Sequence, residues 1–278
     1  MRTKSASMSV SLAVIAIVAA LSATEPATEQ QAPAAAPAVQ PPQAAPPMPN
    51  CPELATAVTA LMRNDVRQRD WANLTRYRDA NRALSPVATG EDRVVFMGDS
   101  ITDAWPMYGD IFVSKPYVGR GISGQTTPQM LIRFRPDVID LKPKVVVILA
   151  GTNDIAGNTG PMTDQEIEAN FESMAELAKA HGIRIILSSI LPTSAYHTAP
   201  NGVPQTITRP MTRIRALNDW IQKYAASERH VYLDYFSAMV DSSGLLREEL
   251  SADDLHPNEK GYAVMAPLAE AAIKQALR

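Results

Sequence analysis

A serine and a histidine with matching surroundings stand far apart in this chain. Ser100 ends an apolar run in "VVFMGDSITDAW" (94–105), and His256 lies in "DDLHPNEKGY" (253–262), three residues after Asp253. A serine hydroxyl becomes a nucleophile only beside a base, and the base needs a third group to orient it. A single turn of backbone can aim Asp253 and His256 the same way, so that Asp253 accepts the Nδ1 proton and Nε2 faces Ser100. Asp254 falls out of phase and is expected in solvent. Attack on an ester also creates an oxyanion that needs preorganised donors. Ser100 can offer its own backbone N–H at a helix start. Gly124 in "GRGISGQTT" can offer another, because glycine lets the backbone approach a ligand. Asn153 in "GTND" can offer its side-chain amide. Each residue also has a plainer reading. Ser100-Ile101-Thr102-Asp103 fits a helix-capping pattern, with Ser100 as the cap. His256 fits a helix entry before Pro257, and the glycines and Asn153 fit turns.

The elements that would carry these residues alternate. Apolar runs at 93–98, 144–151 and 183–190 read as strands buried on both faces, with weaker strands at 115–122 and 230–235. Helical patterns occupy 52–83, where Leu54, Val58, Leu61 and Met62 have helical spacing, and 211–227 and 258–277. Another helix is opened by Thr163 with Glu166 three residues on, and closed by Gly182. Strands alternating with helices predict an α/β fold, a parallel sheet with helices on both faces and a ligand site beyond the carboxyl ends of the strands. Ser100, Gly121 to Gly124, Gly151 to Asp154, and the Asp253–His256 pair all fall at that end.

In sequence order, "GDSIT", "GISGQTT", "GTND" and "DDLHP" resemble the four motif blocks of the SGNH hydrolases, the GDSL esterase/lipase family. Ile101 replaces the usual leucine of the first block. The resemblance implies a three-layer α/β/α sandwich with a flavodoxin-like parallel sheet, acyl-ester hydrolysis and no cofactor. It implies Ser100, Asp253 and His256 as catalytic residues, with Ser100, Gly124 and Asn153 forming the oxyanion hole. The family also covers lysophospholipases and thioesterases, so a lipid substrate is the alternative to a short-chain ester. A binding protein with a silent site on the same scaffold is a further alternative, against which the intact residue set argues.

Composition sets the remaining bounds. The 278 residues are 46% hydrophobic, and 26 Lys and Arg against 29 Asp and Glu leave a net charge of -3. Nothing here suggests a nucleic-acid partner. The single cysteine excludes an intramolecular disulfide framework and any multi-cysteine metal site, and no metal-binding motif is present. Arg2 and Lys4 before the apolar run from Val10 to Leu21 read as a signal peptide over 1–23. Pro, Ala and Gln dominate 24–50, which is expected to be a disordered linker. A domain over 51–278 would follow. The protein is thus expected to be exported, with any membrane contact confined to an uncleaved N-terminal segment. Two inserted stretches, 103–117 and 191–210, mix aromatic and polar residues. Trp105, Tyr196 and His197 are candidates for the substrate-binding wall. Such a wall predicts a small ester of a carbohydrate or another polar alcohol, with acetyl to butyryl chains preferred.

Overall fold

The computed structural model describes residues 69–197 and 202–278, with isolated positions at 55, 56, 58, 59 and 61. The predicted signal peptide, the linker and Asn201 lie outside the described residues. β1 (Val94–Gly98) and β3 (Val145–Leu149) are buried at every position, as continuous apolar runs must be when helices cover both faces. With β2 (Tyr117–Gly121), β4 (Arg184–Ser188) and β5 (Val231–Leu233) they form one parallel sheet in the order β2-β1-β3-β4-β5. The chain order reverses between β1 and β3, where doubly wound sheets open a crevice beyond the strand ends.

Alternate residues face opposite layers. Val95, Met97, Val146, Ile148, Ile185 and Leu187 pack with the face carrying α3 (Thr127–Asp137), α5 (Asp164–Ala180) and α7 (Met211–Glu228). Val94, Phe96, Val145, Val147 and Ile186 pack on the other face with α9 (Glu259–Ala276) and Trp105. Thr163 caps α5 in a capping box with Glu166, and Gly182 beyond its end has φ +70°. The remaining helices are short: α1 (Arg78–Ala83), α2 (Ser100–Ala104), α4 (Thr152–Ile155), α6 (Gln205–Thr208) and α8 (Phe236–Met239).

Two sequence expectations change. The helix expected over 52–83 is not continuous: the described positions 55, 56, 58, 59, 61 and 69 are helical, but the chain turns between Asp70 and Tyr77, and α1 begins at Arg78. Val58 and Leu61 are exposed, whereas Leu54 and Met62 lie outside the described residues. The cap of α2 is Asp99, not Ser100. The Asp99 carboxylate accepts the Ile101 N–H at 3.0 Å, which makes Ser100 the first helical residue.

Asp99 is 1% exposed, and its second oxygen has no hydrogen-bond partner among the described residues. Burial pushes its carboxyl from 3.8 up to about 6; the Ile101 N–H and the charge of His256 oppose the rise, and Asp154 adds to it. The folded state therefore holds this proton more tightly than the unfolded chain. The stability this supplies is full below the unfolded value and is lost as pH rises to about 6, at a cost of about 3 kcal/mol. Asp99→Asn keeps a capping oxygen and cannot ionise. Urea midpoints should therefore shift in its favour, relative to wild type, between pH 4 and pH 7. A difference that stays constant across that range would show that Asp99 titrates as an ordinary carboxyl.

Candidate active site

Ser100 sits two residues past the end of β1, on the first turn of α2. Its Oγ lies 2.9 Å from Nε2 of His256, and His256 Nδ1 lies 2.6 Å from Oδ2 of Asp253. The spacing in "DDLHP" works through a tight turn. Asp253 Oδ1 accepts the backbone N–H groups of Leu255 (3.1 Å) and His256 (2.7 Å), so one carboxylate folds the turn and orients the ring. Asn258 then caps α9 through the Gly261 N–H and donates to the Glu249 carbonyl. From α9, the buried Tyr262 hydroxyl donates to the Ile101 carbonyl at 2.8 Å, fixing the helix that follows His256 against the helix that bears Ser100.

Burial raises the Asp253 carboxyl, but the hydrogen bonds from the His256 ring and backbone, together with the ring's charge, outweigh it. The net result is well below the usual carboxylate range. Asp253 is therefore held in its ionised form, the state that accepts the hydrogen bond from His256 Nδ1.

The two other predicted donors follow the strands on either side of β1. The end of β2 lies beside that of β1, with Gly98 paired to Gly121 and the Ile122 N–H donating to the Gly98 carbonyl. A side chain at Gly121 would overlap the backbone of Asp103, so only glycine lets the strand pass α2 this closely. Gly124 has φ +80°, a conformation glycine adopts without strain, and its carbonyl accepts from Asn158 Nδ2 at 3.0 Å. Asn153, on α4 just past β3, donates one Nδ2 hydrogen to the Gln125 carbonyl at 3.0 Å. Its other hydrogen has no acceptor among the described residues. Asp154 is buried and ties α4 to the start of α3, accepting from the Thr127 N–H (2.9 Å) and hydroxyl (2.5 Å).

Arg209 completes this group, and the sequence reading missed it. It is 8% exposed and donates to Asn153 Oδ1 (3.3 Å), Thr152 Oγ1 (3.1 Å), Gln205 Oε1 (2.7 Å) and Thr208 Oγ1 (3.1 Å). All four partners are neutral. Burial pushes the guanidinium pKa down, while the fields of Asp99 and Asp253 hold it up. A flipped Asn153 amide would set its NH2 group against the guanidinium, so Arg209 fixes which way the amide faces.

Other expected positions lie elsewhere. Trp105 is 1% exposed and packs edge-on to Phe96 and against Tyr262, so it belongs to the core and not to a pocket wall. Tyr196 is exposed, but its hydroxyl donates to Asp241 at 2.5 Å. Asp254 is not in solvent. At 2% exposure and φ +67° it accepts from Ser194 Oγ, the N–H groups of Tyr196 and His197, and lies 3.0 Å from His197 Nδ1. Burial raises its carboxyl, and these hydrogen bonds bring it below the ordinary value. His197 is thus held by the residue next to Asp253. Among the described residues no cluster of three His, Cys, Asp or Glu side chains could hold a metal ion.

Known proteins resemble the chain in sequence and in fold. The uncharacterized lipoprotein YqeF of Bacillus subtilis is 40% identical over 75 residues, a match spanning 26% of this chain and only 31% of that relative's length. Platelet-activating factor acetylhydrolase IB subunit alpha2 of Homo sapiens is 26% identical over 197 residues, which cover 68% of this chain and 80% of that protein. The crystal structure of a GDSL-like lipase from Bacteroides thetaiotaomicron is 42% identical. It superposes with a TM-score of 0.68 and covers 74% of this chain and 98% of its own. Residues 96–264 match the model of the GDSL-like lipase/acylhydrolase family, a span that takes in Ser100, Gly124, Asn153, Asp253 and His256. The chain belongs to the GDSL-like lipase/acylhydrolase family, and it is a carboxylic ester hydrolase.

Proposed function

We propose that the chain is a serine esterase for short acyl esters of polar alcohols, with Ser100 as nucleophile, His256 as base and Asp253 as its orienting acid. The observation that carries this reading is the unbroken line from Ser100 Oγ through His256 to Asp253, at 2.9 and 2.6 Å. In the first step Ser100 Oγ attacks the acyl carbon and passes its proton to His256 Nε2. The imidazolium so formed faces an ionised Asp253. The carbonyl oxygen becomes an oxyanion that takes the N–H groups of Ser100 and Gly124 and the free Nδ2 hydrogen of Asn153. His256 then returns the proton to the leaving alcohol, giving an acyl-enzyme. Water attacks that ester with His256 again as base, releasing the acid and restoring the serine.

The preference for short acyl groups draws support from a relative named as an acetylhydrolase. In a site open to water, each added methylene gains little of the roughly 0.8 kcal/mol that full burial gives. The values of kcat/KM for p-nitrophenyl esters from two to sixteen carbons should therefore peak at acetyl to butyryl. A profile that climbs past eight carbons would place the enzyme with the lipid hydrolases. Export through residues 1–23 and a tether over 24–50 belong to the same proposal, supported by their charge and composition.

Ser100→Ala should retain the wild-type melting behaviour and lose several orders of magnitude in ester hydrolysis. Turnover near that of wild type would remove Ser100 from the mechanism. Asn153→Ala should lower kcat roughly 10²–10³-fold with little change in KM, because the oxyanion exists only near the transition state. Arg209 acts as a positioning residue through that amide. Arg209→Met should lower kcat roughly ten- to a hundredfold, again with little change in KM, and Arg209→Lys should recover part of the loss. The double variant Arg209→Met/Asn153→Ala should be no slower than Asn153→Ala alone. Fully additive losses would show that Arg209 does not work through Asn153.

A further inference from the structure

Beside Gly124 the surface opens into a cavity of about 470 Å³, within the range of small-molecule sites. Trp71, Asn73, Gln129, Asn158 and Thr159 line it together with Gly124. Three of its walls come from elements already at the site, namely the loop after β2, the start of α3 and the segment after α4. The fourth comes from the turn that replaces the expected helix. We propose that this cavity is the alcohol-side subsite of the ester and that it takes a carbohydrate ring stacked on Trp71. The inference rests on the serine-esterase reading above.

The turn is built to hold its tryptophan outward. Asp70 accepts the N–H groups of Leu74 (2.7 Å) and Thr75 (2.9 Å) and the Thr75 hydroxyl (2.8 Å), and Asn73 adopts φ +54°. The Trp71 carbonyl accepts from Gln129 Nε2 and the Ala72 carbonyl from Gln125 Nε2, each at 2.7 Å. Ala72 is buried at 3% exposure, whereas the neighbouring Trp71 remains 43% exposed. A fixed backbone thus presents a large, half-open indole at the edge of a polar cavity. Its position relative to Asn153 is set as firmly. Gln125, which holds the turn through its side chain, accepts Asn153 Nδ2 on its backbone carbonyl.

The lining selects the class of ligand. Among the described residues no lysine, arginine or histidine lines the cavity, so nothing there compensates a phosphate or carboxylate. Among the described residues Ile122 and Trp71 are its only apolar side chains, too few to bury an acyl chain, which leaves the alcohol as the occupant. Amide and hydroxyl groups beside an aromatic face match a pyranose, whose ring carbons present an apolar face and whose rim carries hydroxyl groups. Binding energy from such a remote part of the substrate can be spent on orienting the ester at Ser100.

The test compares kcat/KM for a mono-acetylated methyl glycoside with that for ethyl acetate, whose alcohol is too small to span the cavity. In the wild type the glycoside should be strongly preferred. Trp71→Ala should reduce that selectivity ten- to a hundredfold, chiefly through KM for the glycoside, and Trp71→Phe should restore most of it. Matching thermal melts confirm that each variant is folded. An equal loss on both esters in Trp71→Ala, or no change in selectivity, would overturn the subsite. Acetylcholine is the third substrate. A selectivity loss confined to it would mean that the indole holds a quaternary ammonium, and would also overturn the carbohydrate assignment. Ser100→Ala on ethyl acetate reports separately on the esterase reading. If that variant remains active the mechanism fails, whereas a dead Ser100→Ala with an indifferent Trp71→Ala removes the subsite alone.

Discussion

The guanidinium of Arg133 is the interaction on which the site end of the molecule depends. It is fully buried and donates to Gln125 Oε1 (2.5 Å), Asp137 Oδ2 (3.1 Å) and the Gly98 carbonyl (2.9 Å). These partners are the side chain that holds the Trp71 turn, a carboxylate in the last turn of α3, and the last carbonyl of β1, two residues before Ser100. Asp137 also accepts from Asn81 on α1, and Asn81 Oδ1 accepts from Arg120 on β2. A buried cation that loses its carboxylate costs roughly 3–5 kcal/mol, so the charge makes this arrangement close to all-or-none. The strand that leads to Ser100, the glycine loop and the turn at 70–75 are thereby set relative to one another before any substrate arrives.

The reacting side chains follow the same logic on a smaller scale. Each sits on a short segment whose backbone is held by a neighbouring carboxylate: Asp99 for α2, Asp253 for the histidine turn, Asp154 for the junction of α4 and α3, and Asp254 for residues 194–197. Side-chain hydrogen bonds to backbone N–H groups suit this task, because they fold a tight turn without the length a regular element needs. The result is several ionisable acids around one serine, and their environments push them apart. Asp253 stays ionised beside His256, while burial holds Asp99 toward its neutral form.

Much of this was legible in the sequence because the central strands β1 and β3 are fully buried and their ends are abrupt. An uninterrupted apolar run such as "KVVVILAG" (144–151) has few other uses, and the polar residues after each run must lie at one end of a parallel sheet. The failures have a common physical cause. The turn at 70–75 was read as helix because its residues lack a breaker; the φ +54° at Asn73 is supported by Asp70 and by two glutamines more than fifty residues away. Asp254 looked like a solvent-exposed neighbour of Asp253, yet its left-handed backbone turns the side chain inward to meet the 194–197 segment. Trp105 read as a pocket aromatic, but a single turn after Ser100 sends it into the apolar layer under α9. Arg209 gave no signal because its four partners come from α4 and from its own connection. Period and composition report what a residue does along its own element, whereas these roles are fixed by another.

The position of Arg209 accounts for how this many carboxylates can surround a site meant to stabilise negative charge. Two ionised acids near an oxyanion would raise its energy. A cation that ion-paired with either would be spent on that pair. Arg209 instead bonds to neutral oxygens, and Asp99 and Asp253 act on it only through their fields. Its charge therefore acts on the Asn153 amide, the donor proposed for the oxyanion. Burial that weakens the guanidinium's own hydration strengthens this field, since the low dielectric that makes an unpaired charge expensive also makes its action at a few ångströms large. The buried Arg209, which has no carboxylate partner among the described residues, and Asp99, whose carboxyl burial pushes up to about 6, are two halves of one electrostatic arrangement around Ser100.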